Sequence, residues 1–225
     1  FSKEEKKNKP SQLIVEADES IEWFEKEKYY VAKGNVILKK NGLTLRANYV
    51  KAIYLDENGE NVLTKITAKK DVFLSKGKAK ASGEFMTYDL KTKIAVITGQ
   101  FQTFSSPSGY IESKKMIKFD DFNNKAEASG EVKIILPNKT KIFGDNIKAD
   151  FTGKDKSLTK ATAKGNVIIE NTEKGQKSKA DLGIYNSSDS IIKLRGNVVI
   201  TNKKSTIKGS RGTTNLKTGI SNLIG

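Results

Sequence analysis

Aspartates at regular intervals are the residues of this sequence whose spacing could perform chemistry. The chain has no histidine and no cysteine, which excludes Ser-His-Asp and Cys-His catalysis and thiolate metal sites. Asp18, Asp145 and Asp181 could meet in pairs, as the acid and base of a glycosidase or polysaccharide lyase built on a β-solenoid. However, they recur once per repeat, as structural positions do, whereas an active site needs one singular cluster. The sequence therefore predicts no catalytic residue, no metal site, no cofactor and no enzyme.

The charge balance is strongly basic, with 41 lysines and arginines against 26 acidic residues and a net charge of +15. Three of the basic residues are arginines: Arg46, Arg195 and Arg211. Nucleic-acid readers rely on arginine for bidentate contacts, so nucleic acid is not an expected partner. The lysine excess indicates either a Lys- and Asn-rich host proteome or a preference for anionic partners.

A short phrase recurs along the chain, in which a small residue or turn former is followed by alternating apolar residues. Its copies begin at Gly34, Lys70, Gly99, Gly130, Gly165 and Gly196. Successive starts lie 36, 29, 31, 35 and 31 residues apart, which indicates a repeat architecture. Repeat chains usually present an elongated binding surface.

A second signature alternates with the first and consists of a small residue within an otherwise strand-like stretch. These small residues are Ala17, Ala47, Gly83, Ser113, Gly144, Ala180 and Gly209. Turn signals such as Asn41-Gly42 separate the two kinds of strand. Each of about seven repeats therefore holds two antiparallel strands, which predicts a meander of about fourteen strands.

Small residues near the middle of long strands predict a crease, because glycine inside a strand commonly marks a bend or bulge. The predicted crease glycines are Gly34, Gly83, Gly99, Gly130, Gly144, Gly165, Gly196 and Gly209. The predicted fold class is all-β: a long antiparallel repeat sheet creased into a V-shaped, taco-like β-jellyroll that is open at both ends. At about 4.8 Å per strand, such a body spans roughly 65 Å.

Apolar residues that fall in phase define the predicted inner face, an apolar trough. They are Val36, Leu38, Val72, Leu74, Phe101, Val132, Ile134, Val167, Ile169, Val198, Ile200, Leu45, Ile111 and Ile142. The alternative is that the same residues close a dry β-sandwich core, because most apolar faces are core. The pattern leaves open on which side the aromatic residues Tyr88, Phe104, Phe119 and Phe151 lie.

Residues 1–10 are polar and charged, and we expect them to be disordered. Residues 11–225 are predicted to form a single domain. No apolar run reaches the length of a membrane span. The chain begins at Phe1, which is consistent with removal of a signal sequence and equally with an engineered start.

The order and spacing of these phrases resemble the LptA/OstA family of periplasmic lipopolysaccharide-export bridge proteins. The resemblance begins at Gln12–Asp18, passes through Gly34–Leu38 and Leu43–Asn48, and continues through the later Gly-Asn-Val phrases to about Leu216. It implies a periplasmic OstA-like β-jellyroll whose trough shields the acyl chains of lipopolysaccharide between the inner and outer membranes. The trough residues given above would then contact the lipid.

The resemblance also implies partners. These are lipopolysaccharide, an inner-membrane-anchored export partner at the N-terminal sheet edge, an outer-membrane translocon at the C-terminal edge, and further copies stacked end to end. Unpaired backbone groups at open sheet edges would allow such strand addition. Lys70 departs from the repeat, because it stands where a glycine is expected. The alternative reading is a scaffold or surface protein that polymerises through its edges without a lipid ligand.

Overall fold

The computed structural model describes residues 13–203 and 205–225, and the regular secondary structure of this part is entirely β-strand. The segment 1–10 that we expect to be disordered lies outside the described residues. The strands are β1 (Ile14–Glu16), β2 (Ser20–Phe24), β3 (Tyr29–Lys40), β4 (Leu43–Glu57), β5 (Glu60–Lys76), β6 (Ala79–Asp89), β7 (Ile94–Thr98), β8 (Gln102–Ser106), β9 (Gly109–Ser113), β10 (Met116–Asp120), β11 (Lys125–Ile135), β12 (Lys141–Thr152), β13 (Ser157–Asn171), β14 (Gln176–Asn186), β15 (Ile191–Thr201), β16 (Thr206–Asn215) and β17 (Ser221–Ile224). They form one sheet.

The sheet is an antiparallel meander in which strands pair with their neighbours along the chain. β1 and β2 pair with opposite ends of β3, so they are two halves of one strand. The pairs β7/β8 and β9/β10 are likewise halves of two strands, because β7 pairs with β10 and β8 pairs with β9. Counting each divided strand once gives fourteen strands in the described part of the chain. The predicted all-β meander is confirmed.

A crease crosses the strands where their pairing register shifts. In β3 the shift falls between Lys33 and Val36, and the two intervening residues, Gly34 and Asn35, have left-handed φ angles of 78° and 43°. This conformation is easy for glycine and tolerable for asparagine, which explains the recurring Gly-Asn phrase. Lys70 adopts it too, with a φ of 61°. Each pair forms a bulge that bends its strand.

The small residues of the second signature lie opposite the first apolar residue after each bulge. Val36 pairs with Ala47, Val72 pairs with Gly83, and the same arrangement recurs at Val132, Val167 and Val198. Gly83, Gly144 and Gly209 have no left-handed φ, unlike the other five predicted crease glycines. Crowding, and not backbone conformation, explains why position 83 is a glycine: a Cβ there would lie 2.3 Å from the Ile97 side chain.

The crease divides the sheet into two leaves, which face each other. Leaf A contains β2, β7 and β10, and leaf B contains β1, β8 and β9, whereas most longer strands contribute to both leaves. The turns at the free ends of the two leaves form the mouth of the V. Core side chains between the leaves are almost fully buried along the sheet. Val36 in β3 is 0% exposed, and Leu194 in β15 is 1% exposed. The leaves therefore pack directly on each other over most of the sheet, as in the dry core given above as the alternative to a trough.

Candidate functional site

The packed interior opens into a cavity beside the mouth, with a volume of about 690 Å³. This volume falls within the range of small-molecule binding sites, about 300–1,000 Å³. The apolar side chains that line the cavity come from both leaves: Leu43, Leu74, Ala79, Ala81 and Phe104 from leaf B, and Tyr88, Ala95, Ile97, Ile117 and Phe119 from leaf A. The cavity can therefore hold an apolar ligand segment without demanding a particular orientation.

Beside the cavity, alanine occupies the inner face of one strand in each leaf. In leaf B, Ala81 lies between Leu74 on β5 and Phe104 on β8. In leaf A, Ala95 lies between Tyr88 on β6 and Phe119 on β10. In leaf A alanine also occurs at equivalent positions of the packed core, such as Ala126, Ala149 and Ala161. In leaf B most equivalent positions carry Leu or Ile, so Ala81 leaves a gap between the leaves there. A methyl group cannot fill the space that a branched side chain fills elsewhere in the core.

Hydrogen bonds and stacked rings close the mouth beside the cavity. The Leu158 amide on leaf A donates to Ser108 Oγ on leaf B over 2.9 Å, and Ser108 Oγ donates to the Lys156 carbonyl over 3.2 Å. Beneath this contact, the ring of Phe104 stacks on Phe119 at 5.4 Å between centroids and meets the edge of Phe151 at 5.7 Å. The cavity is thus bounded on this side by a fixed wall.

The open part of the mouth is lined by lysines. Lys76, Lys80, Lys93, Lys154 and Lys156 border the cavity together with Asp121. Lys76 Nζ of leaf B lies 3.2 Å from Asp121 Oδ2 of leaf A, so this ion pair crosses the mouth. Lys156 Nζ lies 2.6 Å from Asp121 Oδ1. Partial burial opposes ionisation of Asp121, but the bonds from Lys156 and Lys76 outweigh it and hold the pKa of the carboxyl below its usual value.

The structure places the predicted trough residues as follows. Leu74 borders the cavity. Most of the set is buried in the core away from it: Val36, Leu38, Val72, Val132, Ile134, Val167, Ile169, Val198, Ile200, Leu45, Ile111 and Ile142. The pattern did not single out the alanines Ala81 and Ala95 or the isoleucines Ile97 and Ile117. Inward alanines alone would not have marked the cavity, because they also lie in the packed core, as at Ala126, Ala149 and Ala161.

Phe101 requires a correction, because it was expected on the inner face and is 50% exposed. Gln102 is fully buried in its place and pairs with Ser113, as Val36 pairs with Ala47. This strand carries one more residue between Gly99 and its first inward position than the other repeats do. A one-residue slip moves a side chain to the opposite face of a sheet.

The repeating aspartates are structural parts of the crease. Asn35 Nδ2 donates to Asp18 Oδ2 over 2.8 Å, and Asn197 Nδ2 donates to Asp181 Oδ2 over 2.9 Å. Asp145 accepts an equivalent bond from Asn166. Each carboxylate is thus tied to the asparagine of an adjacent bulge, which is the repeated role that the sequence indicated. Among residues 13–203 and 205–225, no three His, Cys, Asp or Glu side chains form a group that could hold a metal ion.

Apolar side chains are exposed at both ends of the sheet. Ile21 and Trp23 on β2 are 53% and 55% exposed, and Ile207 on β16 is 43% exposed. β17 pairs with the leaf A half of β16, over residues 211–214, so within the described chain the leaf B half, 206–209, forms an open edge. The described residues include no helix with the length and apolar character that crossing a membrane requires.

Comparison with known proteins gives a family match along most of the chain. The family described as LptA/(LptD N-terminal domain) LPS transport protein matches twice, over residues 14–117 and 110–220. Among solved structures, the chain is similar to LptH, the LptA homologous periplasmic component of the conserved lipopolysaccharide transport device from Pseudomonas aeruginosa. The identity is 21%, the match covers 53% of this chain and 82% of that chain, and the TM-score is 0.46. No curated protein matches.

Proposed function

Because this chain belongs to the LptA/LptD N-terminal domain family of lipopolysaccharide transport proteins, we propose that its cavity shields lipopolysaccharide acyl chains as the lipid crosses the periplasm. The observation that carries the proposal is the apolar cavity of about 690 Å³ between the leaves. Each methylene withdrawn from water contributes about 0.8 kcal/mol, so a few carbons of one chain give substantial binding. No step of this function needs a catalytic group.

The size of the cavity sets the amount of lipid that it can shield at one time. Its volume suits a ligand of small-molecule size, whereas a lipid with several acyl chains is larger. The core side chains elsewhere between the leaves are almost fully buried in the described part of the chain. The proposal is therefore that the cavity holds part of the acyl region and that the lipid enters through the mouth, between the turns of the two leaves.

We further propose that the chain forms one domain and assembles end to end. The two family matches overlap at residues 110–117, and the sheet continues through this region because β9 pairs with both β8 and β11. The exposed Ile21 and Trp23 at one end, and Ile207 at the other, offer apolar contacts beside unpaired strand edges. Strand addition there would join the anchored inner-membrane partner at the N-terminal edge, the outer-membrane translocon at the C-terminal edge, and further copies.

Photocrosslinking to lipopolysaccharide tests the role of the cavity. The probe is placed at Ala81, Ala95 or Ile117 in the cavity, at Val36 or Ile134 in the packed core, and at Lys39 or Lys179 on the outside. Crosslinks confined to the three cavity positions are expected, since the core has no room for a chain. A folded protein that gives no crosslink at any cavity position would contradict the proposal and favour the scaffold reading.

A further inference from the structure

We infer that the lysines at the cavity mouth form a site for a phosphate-bearing lipid headgroup, so that the rim holds the phosphate while the cavity holds the chain. The inference rests on the proposed function for its apolar part. A phosphate site at the rim would add selectivity for charge to a cavity whose apolar lining selects only for apolar groups.

Strand alternation identifies the lysines that face the mouth. Lys76 follows the inward residues of β5, and Lys93 precedes Ala95 and Ile97, the inward residues of β7. Lys154 and Lys156 lie in the turn between β12 and β13 and border the same cavity. Lys80 also borders the cavity, but it alternates with the inward Ala79 and Ala81 and is therefore left out of this set. Four lysines from three turns therefore surround one opening.

These lysines carry more positive charge than the mouth neutralises. Asp121 is the carboxylate among the cavity-lining residues, and it is engaged by Lys76 and Lys156. Within the described chain, Lys93 and Lys154 have no carboxylate partner at ion-pair distance. Like charges gathered beside an apolar cavity repel one another, and a bound anion relieves that repulsion. The excess thus indicates an anionic ligand group.

Asp121 shows that anion oxygens fit between the two leaves at this place. Its two carboxylate oxygens accept hydrogen bonds from lysines of opposite leaves. A phosphate beside it would offer further acceptor oxygens to the lysines that lack a carboxylate, and lysine is a common phosphate ligand in proteins. The rim is also continuous with the apolar floor, because Lys156 Nζ lies 5.1 Å from the centre of the Phe119 ring. A phosphate and the alkyl chain attached to it can therefore be bound together.

Three amphiphiles with the same alkyl chain test this site, each used below its micelle concentration: dodecyl phosphate, dodecylphosphocholine and dodecyl maltoside. Binding is measured by displacement of a fluorescent apolar probe at low salt. The wild-type protein is expected to bind dodecyl phosphate about tenfold more tightly than dodecyl maltoside. The double variant Lys93→Gln/Lys154→Gln should lose most of this preference and keep its affinity for the maltoside. The control, Lys39→Gln/Lys179→Gln, removes the same charge from the outer face and should keep the preference.

The outcomes separate the headgroup site from the proposed function. Equal phosphate preference in both double variants would overturn the headgroup site, while the cavity would still bind chains. Unchanged binding of all three amphiphiles by folded Ala95→Leu and Ala81→Leu, which fill the cavity, would instead contradict the proposed function. If inorganic phosphate binds as tightly as dodecyl phosphate, the lysines form a site for free phosphate, and the assignment to a lipid headgroup is overturned. Weak competition by inorganic phosphate supports the inference.

Discussion

Asn166 in the bulge of β13 donates a hydrogen bond of 2.9 Å from its Nδ2 to Oδ2 of Asp145 on β12. Asn166 has a φ of 47°, so one side chain both tolerates the left-handed backbone and ties the bulge to the next strand. The same relationship joins Asn35 to Asp18 and Asn197 to Asp181. The crease is therefore held by a side-chain bond at several of its bulges, in addition to the conformational freedom of glycine.

Replacing Asn166 tests these two contributions. Asn166→Ala should lower the free energy of unfolding by about 2 kcal/mol, because alanine is disfavoured at a left-handed φ and the hydrogen bond is lost. Asn166→Gly loses the bond but accepts the backbone, so it should cost about 1 kcal/mol or less. Urea unfolding measures both changes. Equal losses in the two variants would show that the bond, and not the backbone, holds the bulge.

Lys70 offers a stabilising substitution. It adopts a φ of 61° at the place where other repeats have glycine. Lys70→Gly should therefore raise the free energy of unfolding by about 1 kcal/mol, since glycine adopts this conformation without steric cost. The control is Thr67→Gly in a regularly paired part of β5, which should cost about 1 kcal/mol. Destabilisation by both glycines would contradict the strain assigned to Lys70.

Gln102 should destabilise the core in which it is buried. Its Oε1 lies 3.3 Å from Ser113 Oγ, but its Nε2 has no hydrogen-bond partner among the described residues. Gln102→Leu should raise the free energy of unfolding by about 1–2 kcal/mol, because it removes an unpaired buried donor and Ser113 can still donate to the Met116 carbonyl. Thermal or urea unfolding measures the change. Gln100→Leu, at a neighbouring exposed position, should have little effect; a loss of stability in Gln102→Leu would refute the prediction.

The ion pair across the mouth predicts a pH dependence. The pKa of Asp121 is lower in the folded protein, so its ionised form contributes stability above its unfolded pKa, about 3.9, and this contribution disappears as the pH falls through the lower folded pKa. Asp121→Asn should therefore destabilise the protein near neutral pH and progressively less below about pH 4. Asp155→Asn, in a neighbouring turn, is the control. A constant difference between wild type and Asp121→Asn across this range would contradict the role given to the carboxylate.

The exposed end residues test the proposed assembly. Ile21→Lys and Ile207→Lys each place a charge beside an open strand edge, and each should weaken end-to-end association by about tenfold or more, because apolar contact is lost and lysine blocks edge pairing. Sedimentation across a concentration series measures this. Phe122→Lys removes a side chain that is 74% exposed in the turn after β10, away from both ends, and should leave association unchanged. If all three variants weaken association equally, the cause would be a general effect of the added charge on solubility, and not a contact at the sheet ends.

Much of the fold could be predicted from the sequence, because each strand repeats the same local phrases. Gly-Asn pairs and turn residues such as Asn41-Gly42 specify bulges and reversals within a few residues, and these local rules give the fourteen-strand meander. The resemblance to the LptA/OstA family is confirmed by the family match. The one-residue slip at Phe101 could not be seen in the sequence. One added residue near Gly99 moves each following side chain to the opposite face of the sheet, but the strand still alternates between inward and outward residues.

The cavity could not be predicted in the same way. An alternating strand shows which side chains point inward, but not how closely two leaves approach each other. That distance depends on the combined volume of residues from different repeats, such as Ala81 in one leaf and Ala95 in the other. The ion pair between Lys76 and Asp121 likewise joins turns 45 residues apart, and local patterns carry no information about it. The lysine excess indicated an anionic partner only as one of two explanations.

The pairing of strands with their neighbours along the chain also affects how the protein can fold. Loops that must close are short, so the entropy lost at each closure is small and the contact order is low for an all-β protein. Nuclei can form at several hairpins and extend by adding one strand at a time, as in other one-dimensional arrays. A chain that emerges gradually could thus begin to fold before its last strands are free. Whole hairpins could also be gained or lost during evolution without disturbing distant contacts.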